Sequence, residues 1–173
     1  MRSLLSFVRR GAAAALVLGS APAGTAWAQD VRVGVLYPIK TMLGQQGRNG
    51  AQVAAEMLNA GGGVLNGRRM ALIVYDDNYQ PADGVAAARK LIGEDKVSVV
   101  VGAINTAVSL GVMQVAQQGG AMFLAAVTKA PQITQYDRAF RFNPLVATDG
   151  EVFNKYLKDK VRPQRLAVVV ENG

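Results

Sequence analysis

No cysteine and no histidine occur anywhere in the 173 residues. Their absence excludes disulfides, thiolate nucleophiles, a Cys-anchored lipid, His-based catalytic triads and the usual zinc sites. It does not fix the compartment, because exported bacterial proteins often lack disulfides. Aromatic residues make up only 6% of the chain, and no run of Lys/Arg is interleaved with them, which argues against a nucleic-acid groove. No Gly-x-x-x-x-Gly-Lys-Ser/Thr run exists, and Gly61-Gly62-Gly63 follows a helical stretch rather than a strand, so neither phosphate-loop pattern is present. No apolar run reaches the roughly 20 residues needed to span a bilayer.

What the chain does hold is apolar content of 50% against 18% charged residues, the balance of a globular protein with a core of ordinary size. The length suits one domain, or one domain and the start of another. The formal charge is +7, but three of the 19 basic residues (Arg2, Arg9 and Arg10) fall in the first 28 positions. Beyond them, 16 basic residues against 12 acidic ones leave +4, a mildly basic solvated surface.

Residues Met1–Ala28 have the three parts of a secretory signal: basic residues at Arg2 and Arg9-Arg10, an apolar stretch from Gly11 to Leu18, and the small-residue site Ala26-Trp27-Ala28. Cleavage after Ala28 is expected, leaving Gln29 first. Arg9-Arg10 also suggests twin-arginine export, although the Gly-Ala-Ala that follows fits that signal poorly. The periplasm is the expected location.

Strand and helix signals then alternate. Val31–Tyr37, Met70–Tyr75, Val97–Val101, Ala121–Ala125 and Leu166–Val170 read as strands, with a short extended piece at Ala139–Phe142. Helical spacing covers Asn49–Ala60, with Val53 and Met57 one turn apart; Gly61 onward stops it. Pro81 and Asp83 open a helix to about Ile92, Ala107–Gln118 forms a third, and Asp149 is placed to cap one running to Lys160. Strands separated by helices of this length predict βαβ units, and hence an α/β fold with a parallel sheet flanked by helices. Ligands of such sheets bind beyond the carboxyl ends of the strands.

That rule directs attention to the strand-exit loops. Gly102-Ala-Ile-Asn-Thr106 follows a buried strand and opens a helix, whose N-terminus carries about half a positive charge and several free N–H groups. Asn105 or Thr106 can cap it, and Thr106 can offer its hydroxyl to an anion. In Ala125-Ala-Val-Thr-Lys-Ala-Pro131, Thr128 could supply a second hydroxyl, the Ala126 carbonyl could accept from an ammonium, and Lys129 reads as solvated. Either loop could equally be plain capping and strand exit. Asp76 and Asp77 are adjacent on an extended chain and point to opposite faces, so they read as structural and not as a catalytic or metal-binding pair.

These residues bring a resemblance into view. The chain from about Val31 onward resembles the periplasmic leucine/isoleucine/valine-binding protein family, the type I solute-binding proteins of branched-chain amino-acid ABC transporters. The carriers are Val33-Gly-Val-Leu36, Gly47, Asn49-Gly-Ala51, Asn59-Ala-Gly-Gly-Gly63, Tyr75-Asp-Asp77, Ala86-Ala-Ala-Arg-Lys-Leu91, Val100-Val-Gly102, Ala130-Pro131 and Phe140-Arg-Phe-Asn143. The resemblance implies the type I periplasmic-binding-protein fold, two α/β lobes on a three-segment hinge with the ligand between them. Residues 29–145 would form most of the first lobe, and 146–173 would begin the second. It further implies ligand contacts at Thr106, Thr128 and the Ala126 backbone, with Asn105 and Gln46 lining the pocket. The loop carrying Thr128 looks one residue longer than usual, which leaves Thr128 and Lys129 as alternatives. Pro38-Ile-Lys-Thr-Met-Leu-Gly44 also departs from the family's first loop, so the ligand could be another amino acid or small carboxylate. The implied function is capture of such a solute for a membrane permease, with no catalysis, cofactor or metal; a sensory subunit of the same fold is the alternative. Because members resemble two such halves, the 173 residues are expected to leave apolar surface uncovered and to bind poorly or not at all by themselves.

Overall fold

The computed structural model describes residues 29–169, so the expected leader and its cleavage site lie outside the described residues. Within them, β1 (Val31–Tyr37), β2 (Met70–Asp76), β3 (Val99–Gly102), β4 (Met122–Ala125) and β5 (Ala139–Arg141) form one sheet in the order β2-β1-β3-β4-β5. Every pairing is parallel, as the alternation of signals predicts. The chain leaves β1 to one side for β2 and to the other for β3. The sheet thus switches direction between β1 and β3, the place where ligands gather on such sheets.

Helices α1 (Met42–Ala60), α2 (Pro81–Gly93) and α3 (Thr106–Gly119) supply the crossovers. On one face, Leu36, Val100 and Phe123 are fully buried beneath Leu91 of α2 and Val108 and Val112 of α3. Small residues let these two helices approach closely. A Cβ added at Gly84 would lie 2.5 Å from Val108 Cγ1, and one at Gly119 2.5 Å from Ile92 Cγ2. On the other face, α1 lies against β1 and β2. The sheet beyond it, with Val99, Val101, Met122 and Leu124, lines an apolar groove of about 450 Å³. Parallel sheets ordinarily carry helices on both faces, and α1 is the helix that packs on this one among the described residues.

Three expectations need correction. Helix α1 starts at Met42, not Asn49, with Thr41 as its cap accepting from the Gly44 N–H at 3.1 Å. Gly44 and Gly47 look like loop signals but are demanded by crowding: a Cβ at Gly44 would sit 2.1 Å from the Pro38 carbonyl oxygen, and one at Gly47 2.8 Å from the Tyr37 ring. Second, α4 (Val146–Tyr156) begins after Leu145, which makes no side-chain cap bond. Asp149 falls in its first turn and pairs with Lys129 instead of capping. Third, residues 166–169 form no strand and are exposed. A strand needs a neighbour to satisfy its backbone groups, and none of the five described strands pairs with this stretch. Helix α4, extended by a π-type turn at Leu157–Val161, has no buried residue.

Candidate functional site

Strands β3 and β4 end side by side, with Gly102 opposite Ala125. The ladder carries on one step past them. The Ala103 N–H donates to the Leu36 carbonyl at 3.0 Å, and the Ala126 N–H to the Gly102 carbonyl at 3.2 Å. Gly102 has φ +141°, and an added Cβ would lie 2.0 Å from the Leu36 carbonyl oxygen, so only glycine fits at this exit. Ala103 also turns left-handed, at φ 46°. The two loops therefore leave the sheet from rigidly joined points.

Asn105 caps α3. Its Oδ1 accepts from the Ala107 N–H at 2.8 Å and the Val108 N–H at 3.2 Å, while its own carbonyl accepts from the Ser109 hydroxyl at 2.9 Å. The cap satisfies the second and third N–H groups of the helix. The N–H groups of Ile104, Asn105 and Thr106 have no hydrogen-bond partner among the described residues. They sit at the positive end of the α3 dipole, where an anion is favoured.

Thr128 is 2% exposed, and its hydroxyl lies 3.2 Å from that of Thr106. Thr128 Oγ1 also accepts from the Ala130 N–H at 3.4 Å. The structure thus brings two hydroxyls, from the exits of adjacent strands, together over the start of one helix. The Ala126 carbonyl, in the same loop as Thr128, accepts no hydrogen bond from the described residues. Such a set offers donors to a carboxylate and an acceptor to an ammonium without using a formal charge.

The lysines of the neighbouring loops are held elsewhere. Lys40 Nζ donates to Asn78 Oδ1 at 2.7 Å and lies 3.6 Å from Asp76. Lys129, the alternative to Thr128, pairs with Asp149. Gln46 is exposed on α1 and makes no hydrogen bond to either threonine among the described residues. Asn105 has its side-chain oxygen committed to the cap. Asp76 and Asp77 do diverge: Asp76 meets Lys40, whereas Asp77 is buried, its Oδ1 accepting from the Tyr79 N–H at 2.9 Å and its Oδ2 unpaired. Burial pushes the Asp77 carboxyl up, the Tyr79 bond pulls it down, and Asp76 and Asp83 push it up. No group of His, Cys, Asp and Glu among the described residues is arranged to hold a metal ion.

One residue at this edge could not be singled out from the sequence. Asn143 follows β5 and donates through Nδ2 to the Val127 carbonyl at 2.5 Å. The sequence marks Asn143 only as part of a short segment, and nothing local in it indicates which carbonyl the side chain reaches.

Thr106 and Thr128 thus stand at the exits of β3 and β4, next to the β1/β3 switch point of a parallel sheet. A family profile for periplasmic binding proteins matches residues 30–173, and the chain belongs to that family. Among curated relatives, the Leu/Ile/Val-binding protein BraC3 of Rhizobium johnstonii is 32% identical over 149 residues, which covers 83% of this chain and 40% of that one. The Leu/Ile/Val-binding protein of Escherichia coli K12 is 29% identical over the same shares. The chain therefore spans about 40% of the length of these relatives. Among solved structures, the branched-chain amino-acid transporter substrate-binding protein LivJ from Streptococcus pneumoniae, in complex with isoleucine, superposes with a TM-score of 0.70 at 21% identity; the match covers 77% of this chain and 39% of that one. A solute-binding protein of an ABC transporter from Rhodopseudomonas palustris, in complex with 3,4-dihydroxybenzoic acid, gives 0.65 at 19% identity, covering 77% and 37%. At these identities the two superpositions establish the fold, that of type I periplasmic binding proteins.

Proposed function

We propose that this chain supplies the first half of an extracytoplasmic solute-binding protein of an ABC transporter, which captures an amino acid or similar small carboxylate in the periplasm and delivers it to a membrane permease. Residues 29–145 would be the lobe that holds the ligand's head group, and 146–173 the path into a second lobe that closes over it. The observation that carries this reading is the pair of hydroxyls, Thr106 and Thr128, 3.2 Å apart at the start of α3.

In this reading the ligand carboxylate takes the free N–H groups of the α3 start and the two hydroxyls. The Ala126 carbonyl accepts from its ammonium. Neutral donors at a helix N-terminus suit a zwitterion, because they hold the anion without repelling the neighbouring cation. Closure of a second lobe would exclude water and strengthen these dipolar contacts. No step of this cycle makes or breaks a covalent bond, so the protein acts as a binder and not as an enzyme. The relatives' names as Leu/Ile/Val-binding proteins support an aliphatic amino acid, and the complex with 3,4-dihydroxybenzoic acid in a protein of the same fold keeps aromatic carboxylates in the panel.

The test is titration of the ¹⁵N-labelled chain with L-leucine, L-phenylalanine and 3,4-dihydroxybenzoate, followed by NMR. The expected result is that one of them moves the amide resonances of residues 103–106 and 126–130, with a dissociation constant on the order of millimolar, since a one-sided cleft leaves much of the ligand in water. Shifts absent for every compound, or centred on another part of the chain, would contradict the reading.

A further inference from the structure

Asn143 belongs to the Phe140-Arg-Phe-Asn segment, yet none of the groups given a role so far explains it. Its amide meets a carbonyl, which can only accept, so the nitrogen end must face Val127. The Val127 oxygen and the Thr128 N–H are opposite ends of one planar peptide, trans like every other among the described residues. Holding the oxygen therefore sets the direction in which the Thr128 N–H points. A carbonyl that accepts a hydrogen bond also polarises its own amide and makes the N–H a stronger donor. That N–H has no partner among the described residues.

Asn143 is itself held in place. The Phe142 N–H donates to the Ala125 carbonyl at 3.3 Å, extending the β4–β5 ladder by one bond. Pro144 follows, which confines Asn143 to extended backbone. The Val146 N–H then donates to the Lys129 carbonyl at 3.4 Å. The turn carrying Thr128 is thus fastened to residues 142–146, and Asn143 is the side chain that engages the peptide bearing the Thr128 donor.

We propose that Asn143 is a positioning residue for ligand capture, which aims and polarises the Thr128 N–H toward the ligand carboxylate by holding the Val127 carbonyl. This rests on reading the Thr106/Thr128 turns as the ligand seat.

The test compares the ¹⁵N-labelled chain with its Asn143→Asp and Asn143→Ala variants, with L-leucine as probe, at neutral pH and at about pH 4, near the usual carboxylate pKa. At neutral pH the introduced carboxylate has no proton to donate and repels the Val127 carbonyl. The Thr128 amide resonance should move, and the apparent affinity for L-leucine should fall at least tenfold. Near pH 4 the carboxylic acid can donate again, so both readouts should return toward those of the unsubstituted chain, while Asn143→Ala stays impaired at both values. A contact that only braces the turn would shift and restore the Thr128 resonance in the same way but leave the affinity for L-leucine unchanged. An Asn143→Asp variant without pH-dependent recovery overturns the proposal, as does an Asn143→Ala variant with unchanged Thr128 resonance and affinity. Should the variants fail to fold, through-hydrogen-bond coupling between the Asn143 side-chain nitrogen and the Val127 carbonyl carbon in the unsubstituted chain decides, and its absence overturns the proposal. If the Thr128 amide responds to Asn143 substitution while L-leucine moves no resonance, the ligand reading of the site falls and the recognition role falls with it. If L-leucine binds and the Thr128 amide ignores Asn143, only the Asn143 assignment falls.

Discussion

The substitution Asp77→Asn should stabilise the protein at neutral pH, and the gain should disappear in acid. The carboxyl is 1% exposed, with one oxygen bonded to the Tyr79 N–H at 2.9 Å and the other unpaired. Its proton is held more tightly than in the unfolded chain, chiefly because burial disfavours the charge. The sign follows from proton linkage. A carboxyl whose folded pKa is raised binds more protons folded than unfolded, so stability is fullest below the unfolded pKa and declines as pH rises through the folded one. Leaving a buried polar group unsatisfied costs about 1–3 kcal/mol. The amide side chain would keep the acceptor for Tyr79 and lose the charge, but would leave an NH₂ group unpaired, so about 1 kcal/mol should be recovered at pH 7. For a chain of this size that corresponds to a rise in melting temperature of about 3 °C. Urea and thermal unfolding of both proteins at pH 4, 5.5 and 7 measure it. The difference should open with rising pH; a constant advantage, or one that grows in acid, would refute the argument.

Two further substitutions test the frame of the site. Gly102→Ala puts a methyl group 2.0 Å from the Leu36 carbonyl oxygen at a backbone angle unsuited to alanine; it should cost at least about 3 kcal/mol and abolish cooperative thermal unfolding if the sheet exit is as rigid as described. Asn105→Ala removes the cap of α3 and should lower stability by about 1 kcal/mol in urea titrations, with hydrogen exchange quickening first at Ala107 and Val108, whose N–H groups it bonds.

The parallel sheet and the order of its elements were legible because buried strands and amphipathic helices differ in period and length, and the chain alternates between them. The carboxyl-edge rule points to the loops carrying Thr106 and Thr128, whose hydroxyls lie 3.2 Å apart. What the sequence hid was hidden for stated reasons. The glycines at 44 and 47 look like loop formers, and only the nearness of Pro38 and Tyr37 makes them helix residues. Leu166–Val169 carries strand composition but has no partner strand, and composition alone cannot supply one. Asp149 looked like a cap, yet a carboxylate one turn inside α4 found Lys129 instead. Asn143 was invisible as a contact because its partner is a backbone carbonyl 16 residues away, and backbone partners leave no mark in side-chain patterns.

Removing the two site hydroxyls, singly and together, probes the seat most directly. Thr106→Val and Thr128→Val keep the shape of the side chains, so ¹⁵N NMR titration with L-leucine of the two single variants, the double variant and the unsubstituted chain reads the loss of the hydroxyls, and the Ala130 amide resonance reports separately the bond that Thr128 Oγ1 accepts from it. Each single change is predicted to weaken binding about tenfold, the cost of about one hydrogen bond to a charged group, and the double change by less than the product because the hydroxyls lie within reach of each other. Binding that survives the double substitution unchanged would contradict the claim that these two threonines hold the ligand.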